Sequence, residues 1–316
     1  MGAAVLLLAW AGAILWPVLL ALALWRGLKR GRGPGAIGWS FIVLVTVLWG
    51  LGIRAFLWEP ETLEVRRVEV VSRTWSGPAL RIGVISDTHM GAPHMSVARL
   101  NSIVQRMNSE RPDIVVLLGD FAGRHEPAEQ RSEAERSEVL SGIPPLGKLE
   151  APLGVWAVLG NHDWWYDGPT IERELEGRKI QVLENERVLI DRPGAPFWLA
   201  GLADYDSLRK KPSYMDTIGD LSTSEPVLAI SHWPDVFAAA PDRVALTLAG
   251  HSHCGQVNLP FLGRLIHASH GSERWQCGLY EERGRKLYVT AGVGVSILPV
   301  RFLQPPEIAV VTLHAQ

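Results

Sequence analysis

Cysteine is nearly missing from this chain: Cys254 and Cys277 are the two among 316 residues, too few for the disulfide framework that staples small secreted domains. Both are read as free, small residues. A surplus of charge is also lacking, since 31 Lys and Arg stand against 33 Asp and Glu for a net charge of -2. The charges are interspersed, so there is no basic field to hold a nucleic acid, and no nucleic-acid partner is expected. A Gly-x-x-x-x-Gly-Lys loop completed by Ser or Thr does not occur, nor does the Gly-x-Ser-x-Gly turn, which removes kinase-like and serine-nucleophile chemistry. Beyond residue 59 there is no internal repeat and no low-complexity segment.

Apolar residues are concentrated at the front. Ala3 to Trp25 carries no charge, and Ile37 to Trp58 carries only Arg54 near its end. Each run approaches the roughly 20 residues that a helix needs to cross a bilayer core. Pro17 would break a soluble helix but is tolerated as a kink in lipid, and Trp25, Trp49 and Trp58 suit the membrane interface. The intervening Arg26 to Gly35 is a short turn with Arg26, Lys29, Arg30 and Arg32. Basic residues in short loops favour the cytoplasmic side, which puts the N-terminus and everything after Trp58 outside. No basic residue precedes the first run, and it is longer than a signal core, so a retained anchor is expected. The chain divides into a hairpin at 1–58, a linker and first strand at 59–76, and a domain at 77–316.

In that domain, short apolar runs end repeatedly in polar residues. Leu80 to Ser86 leads to Asp87-Thr88-His89, Ile114 to Leu118 to Gly119-Asp120, and Gly154 to Leu159 to Gly160-Asn161-His162-Asp163. Val227 to Ser231 delivers His232, and Val244 to Leu248 runs into Ala249-Gly250-His251-Ser252-His253-Cys254-Gly255-Gln256. Runs of this length bounded by Gly read as buried strands. Between the first two, Val97, Leu100, Ile103, Val104 and Met107 have helical spacing. Strand, helix, strand implies a parallel pair with both ends on one sheet edge, so Asp87, His89 and Asp120 become neighbours. Arg124 to Ser141 is strongly charged and reads as a solvated helix or lid loop. Trp164-Trp165-Tyr166 stand where a site mouth would be, with core packing as the default.

Asp87, His89, Asp120, Asn161, His162, His232, His251 and His253 all stand at strand ends, taking five of the ten histidines. Imidazoles and carboxylates gathered on one edge suit transition metals. The ordered series Asp-x-His, Gly-Asp, Gly-Asn-His-Asp, His and Gly-His-x-His resembles the calcineurin-like metallophosphoesterase superfamily over roughly residues 64 to 316. Gly292-Val293-Gly294, Leu298-Pro299-Val300-Arg301 and Pro306-Glu307-Ile308 are similar to its membrane-associated bacterial YkuE/YaeI-like phosphodiesterase branch, with Cys254 where that branch carries Gly.

The resemblance implies a four-layer α/β sandwich of two mixed β-sheets, behind the two-helix transmembrane hairpin, with two divalent metal ions. Asp87, His89 and His253 would take one ion, Asn161, His232 and His251 the other, and Asp120 would bridge them. Mn is the first choice, with Fe, Zn or Co as alternatives. The implied reaction is hydrolysis of a phosphodiester or pyrophosphate by a hydroxide between the ions. His162 would assist the leaving group and Asp163 orient that imidazole. The other histidines, His94, His125, His267, His270 and His314, are read as structural or solvent-exposed, with His94 and His270 the leading exceptions. The expected partners are a lipid-linked or nucleotide-linked phosphoester and the lipid bilayer, with no obligate protein partner, in a bacterial inner membrane with the domain extracytoplasmic. Two alternatives are an enzyme similar to UDP-2,3-diacylglucosamine pyrophosphatase, whose active site faces the cytoplasm, and a non-catalytic metal-binding scaffold.

Overall fold

The computed structural model describes residues 2–31, 33–123, 125–222 and 224–316; Arg32 of the basic turn and Arg124 at the head of the charged stretch lie outside the described residues. Both apolar runs are helices, α1 (Gly2–Lys29) and α2 (Ala36–Ile53), long and apolar enough to cross a membrane and without burial in the protein. They lie against each other through polar contacts few enough to name: Trp16 Nε1 donates to Thr46 Oγ1 at 3.3 Å and Trp49 Nε1 to the Gly12 carbonyl at 3.1 Å. After α2 the chain continues through a widened turn, Arg54–Trp58, and a tight one, Glu59–Glu61. Here it joins the rest of the protein, with Arg301 N–H on the Ala55 carbonyl (2.9 Å) and Gln304 N–H on Glu59 Oε1 (2.6 Å).

The strands in chain order are β1 (Glu64–Ser72), β2 (Leu80–Ile85), β3 (Ile114–Leu117), β4 (Val155–Ala157), β5 (Gln181–Val182), β6 (Glu186–Ile190), β7 (Phe197–Gly201), β8 (Val227–Ile230), β9 (Val244–Ala249), β10 (Asn258–Leu259), β11 (Gly263–Arg264), β12 (Gly278–Glu282), β13 (Arg285–Val289) and β14 (Glu307–Ala315). One six-stranded sheet runs β1-β14-β2-β3-β4-β5 and the other β12-β13-β9-β8-β7-β6. Both are mixed: β2, β3 and β4 are mutually parallel but β14 meets β2 antiparallel, and β7, β8 and β9 are parallel while β6 and β12 pair antiparallel at the edges. The short β12 was not foreseen. Its Glu281-Glu282 sit at an edge, where half-exposed residues need no apolar alternation.

Side-chain alternation on these strands separates three cores. Ile82 and Val84 of β2, Val116 of β3 and Leu246 and Leu248 of β9 fill the space between the sheets. Val115 and Leu117 face the other way, onto α3 (Val97–Ser109), whose Leu100, Ile103, Val104 and Met107 are buried. On the far side Ala229 and Val244 pack against Phe237 and Tyr214. Burying each such side chain contributes about 1.5–3 kcal/mol, and the outcome is the four-layer sandwich. Its parallel strands end along one edge, and the loops there carry the polar residues.

Candidate metal centre

Those loops are tightly constrained. Asp87, His89, Asp120, His251 and His253 all take left-handed backbone conformations, with φ between 46° and 65°, which non-glycine residues rarely adopt and which cluster where the surrounding fold imposes them. Gly250 shows why a small residue precedes the two histidines. A Cβ there would collide with Ser86 Oγ and come within 2.8 Å of Asp87 Oδ2.

The side chains then converge. Asp87, His89 and His253 place ligand atoms within 4.8 Å of one another, as do Asp120, His232 and His251, and as do His89, Asp120 and His162. His89 Nε2 and His253 Nε2 approach to 2.9 Å, and Asp87 Oδ1 lies 3.4 Å from His253 Nε2. Asp120 Oδ2 stands between the two groups, 3.6 Å from His89 Nε2 and 3.3 Å from His232 Nε2. Asn161 Oδ1 is 3.1 Å from His232 Nε2, which is 3.2 Å from His251 Nδ1. All seven residues expected as ligands therefore meet, and all are buried.

This set fits cations. Both Asp87 carboxylate oxygens are buried without a hydrogen-bond partner, and an ionised carboxylate left so is costly unless a positive charge faces it. The His89 and His232 rings have Nδ1 on the backbone carbonyls of Ala122 (3.2 Å) and Leu118 (2.6 Å). Donation there fixes the tautomer and turns each Nε2 lone pair inward, the usual arrangement of a metal-binding imidazole. The electrostatics record the same conflict. Burial pushes the Asp87 carboxyl up, and it drives His251 down to about 3 and His253 well below the usual imidazole range. Burial also disfavours charge on His232, but the Asp120 carboxylate outweighs it and raises the imidazole to about 10. Asp120 is itself held well below the carboxylate range, the neighbouring imidazoles overcoming its burial.

His162 stands at the edge of this group. Its ring lies 4.6 Å from that of His89, and its Nδ1 has no hydrogen-bond partner. Burial lowers it to about 3, which keeps the imidazole neutral. Asp163 does not orient that ring, contrary to the sequence expectation. Its carboxylate accepts the backbone N–H groups of Asp120 (2.9 Å), Phe121 (2.8 Å), Ala122 (2.9 Å) and Gly160 (2.9 Å). Asp163 sits in the first turn of the helix Asn161–Tyr166, so its side chain is directed back toward amides at the helix start and the adjoining loop. Burial and the Asp120 carboxylate nevertheless push it up to about 7.

Four further features surround the site. His125 is the additional histidine at the site, its ring 4.5 Å from His162. By contrast, His94 is bound to Glu61 Oε1 at 2.6 Å, and His270 opens a short helix, His270–Arg274. Trp233 stacks on His251 at 3.8 Å and donates to Asp204 Oδ2 at 2.9 Å. Of the aromatic triplet, Trp164 and Tyr166 are buried while Trp165 lies at the mouth, 4.8 Å from His162. Finally, Cys254 and Cys277 are joined in a disulfide rather than free. The loop before β12 folds back over the His251 to His253 turn, where Ser252 Oγ donates to the Gln276 carbonyl. No local pattern announces a contact across 23 residues.

Comparison with known proteins places this geometry. Residues 80–255 match the family model described as calcineurin-like phosphoesterase. The chain is 30% identical over 238 residues to "Uncharacterized metallophosphoesterase YkuE" of Bacillus subtilis (strain 168), covering 74% of this chain and 79% of that protein. It is 29% identical over 292 residues to "Transmembrane protein with metallophosphoesterase domain" of Danio rerio, covering 86% of this chain and 61% of the relative. A metallophosphoesterase of Aquifex aeolicus (strain VF5) is 28% identical over 249 residues, 76% of this chain and 87% of that one.

Proposed function

This chain belongs to the calcineurin-like phosphoesterase family, and on that premise we propose that it is a membrane-anchored phosphodiesterase or pyrophosphatase that uses two divalent ions. Asp87, His89 and His253 would hold one ion, Asn161, His232 and His251 the other, and Asp120 both. Bound there, such ions supply Lewis acidity toward phosphoryl oxygens and lower the pKa of water. The chain's own side chains do the rest. The carbonyls of Ala122 and Leu118 hold His89 and His232 in position, and Asp163 braces the loop that carries Asp120. His162, neutral and at the edge of the cluster, donates a hydrogen bond to the oxygen on which charge develops as the ester bond breaks. Trp165 walls the mouth.

The observation that carries this reading is the partnerless, buried Asp87 carboxylate set against two imidazoles. The test is hydrolysis of an aryl phosphodiester by the full-length protein in detergent with Mn, Fe, Zn or Co, alongside measured metal content. Turnover with at least one of these ions is expected, Mn first. Asp120→Asn should lose both metal and turnover, and His162→Ala should lose turnover while keeping metal. Undiminished turnover in Asp120→Asn would overturn the reading.

The division into a hairpin at 1–58, a linker and first strand at 59–76 and a phosphoesterase domain at 77–316 belongs to the same proposal, as does an extracytoplasmic domain. Two observations support the latter. The described basic residues of the turn, Arg26, Lys29 and Arg30, lie at the end of the hairpin away from Ala55 and Glu59, where the domain is joined. The Cys254–Cys277 bond is of a kind that persists in oxidising compartments. Both disfavour a cytoplasmic pyrophosphatase.

A further inference from the structure

A groove of about 760 Å³ runs between the start of α1 and the α/β domain. Leu6, Leu7 and Trp10 form one wall and the segment from Val295 to Pro299 the other, while the inner end is His125, Glu126 and Arg131. Arg131 is committed to ion pairs with Glu126 and Glu135, so among the described residues no free cation waits there. The groove thus grades from apolar to polar, and its polar end meets the metal-ligand cluster through the His125 and His162 rings, 4.5 Å apart.

The length of α1 shows what lies at the apolar end. Its 28 residues span about 42 Å at 1.5 Å each, roughly 12 Å more than a hydrocarbon core of about 30 Å. Arg26 and Lys29 in its last turn hold that end among headgroups, which takes up about 6 Å of the excess, so about one turn, Gly2 to Val5, is left beyond the core at the start. Just inside that margin stand Leu7 and Trp10, 71% and 54% exposed, and across the groove Ile297 is 65% exposed. Ile297 is also β-branched and left-handed, at φ 62°, a conformation that such residues take only when the fold imposes it. Apolar side chains on both walls, with the α1 wall at the outer margin of the bilayer, match a hydrocarbon chain drawn from the same leaflet.

We infer that this groove binds the acyl chain of a lipid phosphoester taken from the leaflet around the start of α1, with its phosphate led past His125 to the Asp and His cluster. The inference rests on the phosphoesterase reading above and adds the substrate class. It is tested with the full-length protein in mixed micelles, comparing p-nitrophenyl hexadecyl phosphate with p-nitrophenyl methyl phosphate. The wild type should prefer the long-chain ester in kcat/KM. The Ile297→Ser, Leu298→Ser double variant should lose roughly tenfold or more on the long-chain ester through lost apolar contact, and less than about twofold on the methyl ester. No chain-length preference, or equal losses on both esters, would overturn the inference. A second measurement does not depend on turnover: a hexadecyl phosphate with a photoactivatable group in its chain, cross-linked and mapped by mass spectrometry. Adducts on Leu6 to Trp10 or Val295 to Pro299 are expected, and adducts confined to other segments would refute the groove. Should both esters resist hydrolysis with every metal, the phosphoesterase reading fails and the adduct map still judges the lipid site.

Discussion

Replacing Asp163 by Asn separates two accounts of one carboxylate. If Asp163 oriented His162, the variant would keep its stability and its metal and lose only rate. The structure instead gives it four backbone donors, two on each oxygen: Phe121 and Ala122 on Oδ1, Asp120 and Gly160 on Oδ2. An asparagine with its oxygen toward Phe121 and Ala122 points an NH2 at the other two amides. Two buried donors are then orphaned at about 1–3 kcal/mol each, or about 2–6 kcal/mol together. At roughly 2–4 °C per kcal/mol for a domain of this size, the melting temperature should fall by about 5–20 °C. The loss should be accompanied by weaker metal binding, because Asp120 N–H is one of the orphans and Asp120 stands between the two ligand groups. The assay is thermal unfolding of wild type and Asp163→Asn, with and without added Mn, together with metal content. A variant that melts within 2 °C of wild type and holds its metal, yet is slow, would refute the bracing role.

Three other outcomes follow from the same geometry. Gly250→Ala forces a methyl group against Ser86 Oγ and Asp87 Oδ2, and metal content should drop well below wild type; full occupancy would show that the loop has room to shift. Cys277→Ser releases the turn at Cys254, removing a cross-link worth about 3 kcal/mol for a loop of this length; unfolding should occur at a lower temperature, and an unchanged transition under non-reducing conditions would count against a formed bond. A C-terminal alkaline phosphatase fusion in a bacterial host should be active and a fluorescent-protein fusion folded in the cytoplasm should be dark; the reverse pattern would place the domain inside.

Much of this architecture is legible locally. The apolar runs that become β2, β3, β8 and β9 are short and end in Gly or a polar residue, and the α3 positions Leu100, Ile103, Val104 and Met107 repeat at helical spacing. Both signals come from neighbours within a few residues, so they survive in the sequence alone. The converging Asp, Asn and His residues could be picked out for the same reason: each stands at the end of a strand that announces itself. The weakly patterned edge strand β12 and the role of His125 escaped, since neither has a local signature.

What the order of amino acids determined here is the set of strands, the two membrane-length helices and the polar residues that close each strand. What only the tertiary structure decided is which atoms face which: Asp163 turned onto four amides instead of an imidazole, Cys254 bonded to Cys277, and α1 laid beside the loop at Ile297 to form a groove. These depend on contacts between segments far apart in the chain, set by how two sheets and a helical hairpin pack. Periodicity specifies which face of an element is buried, but not its partner.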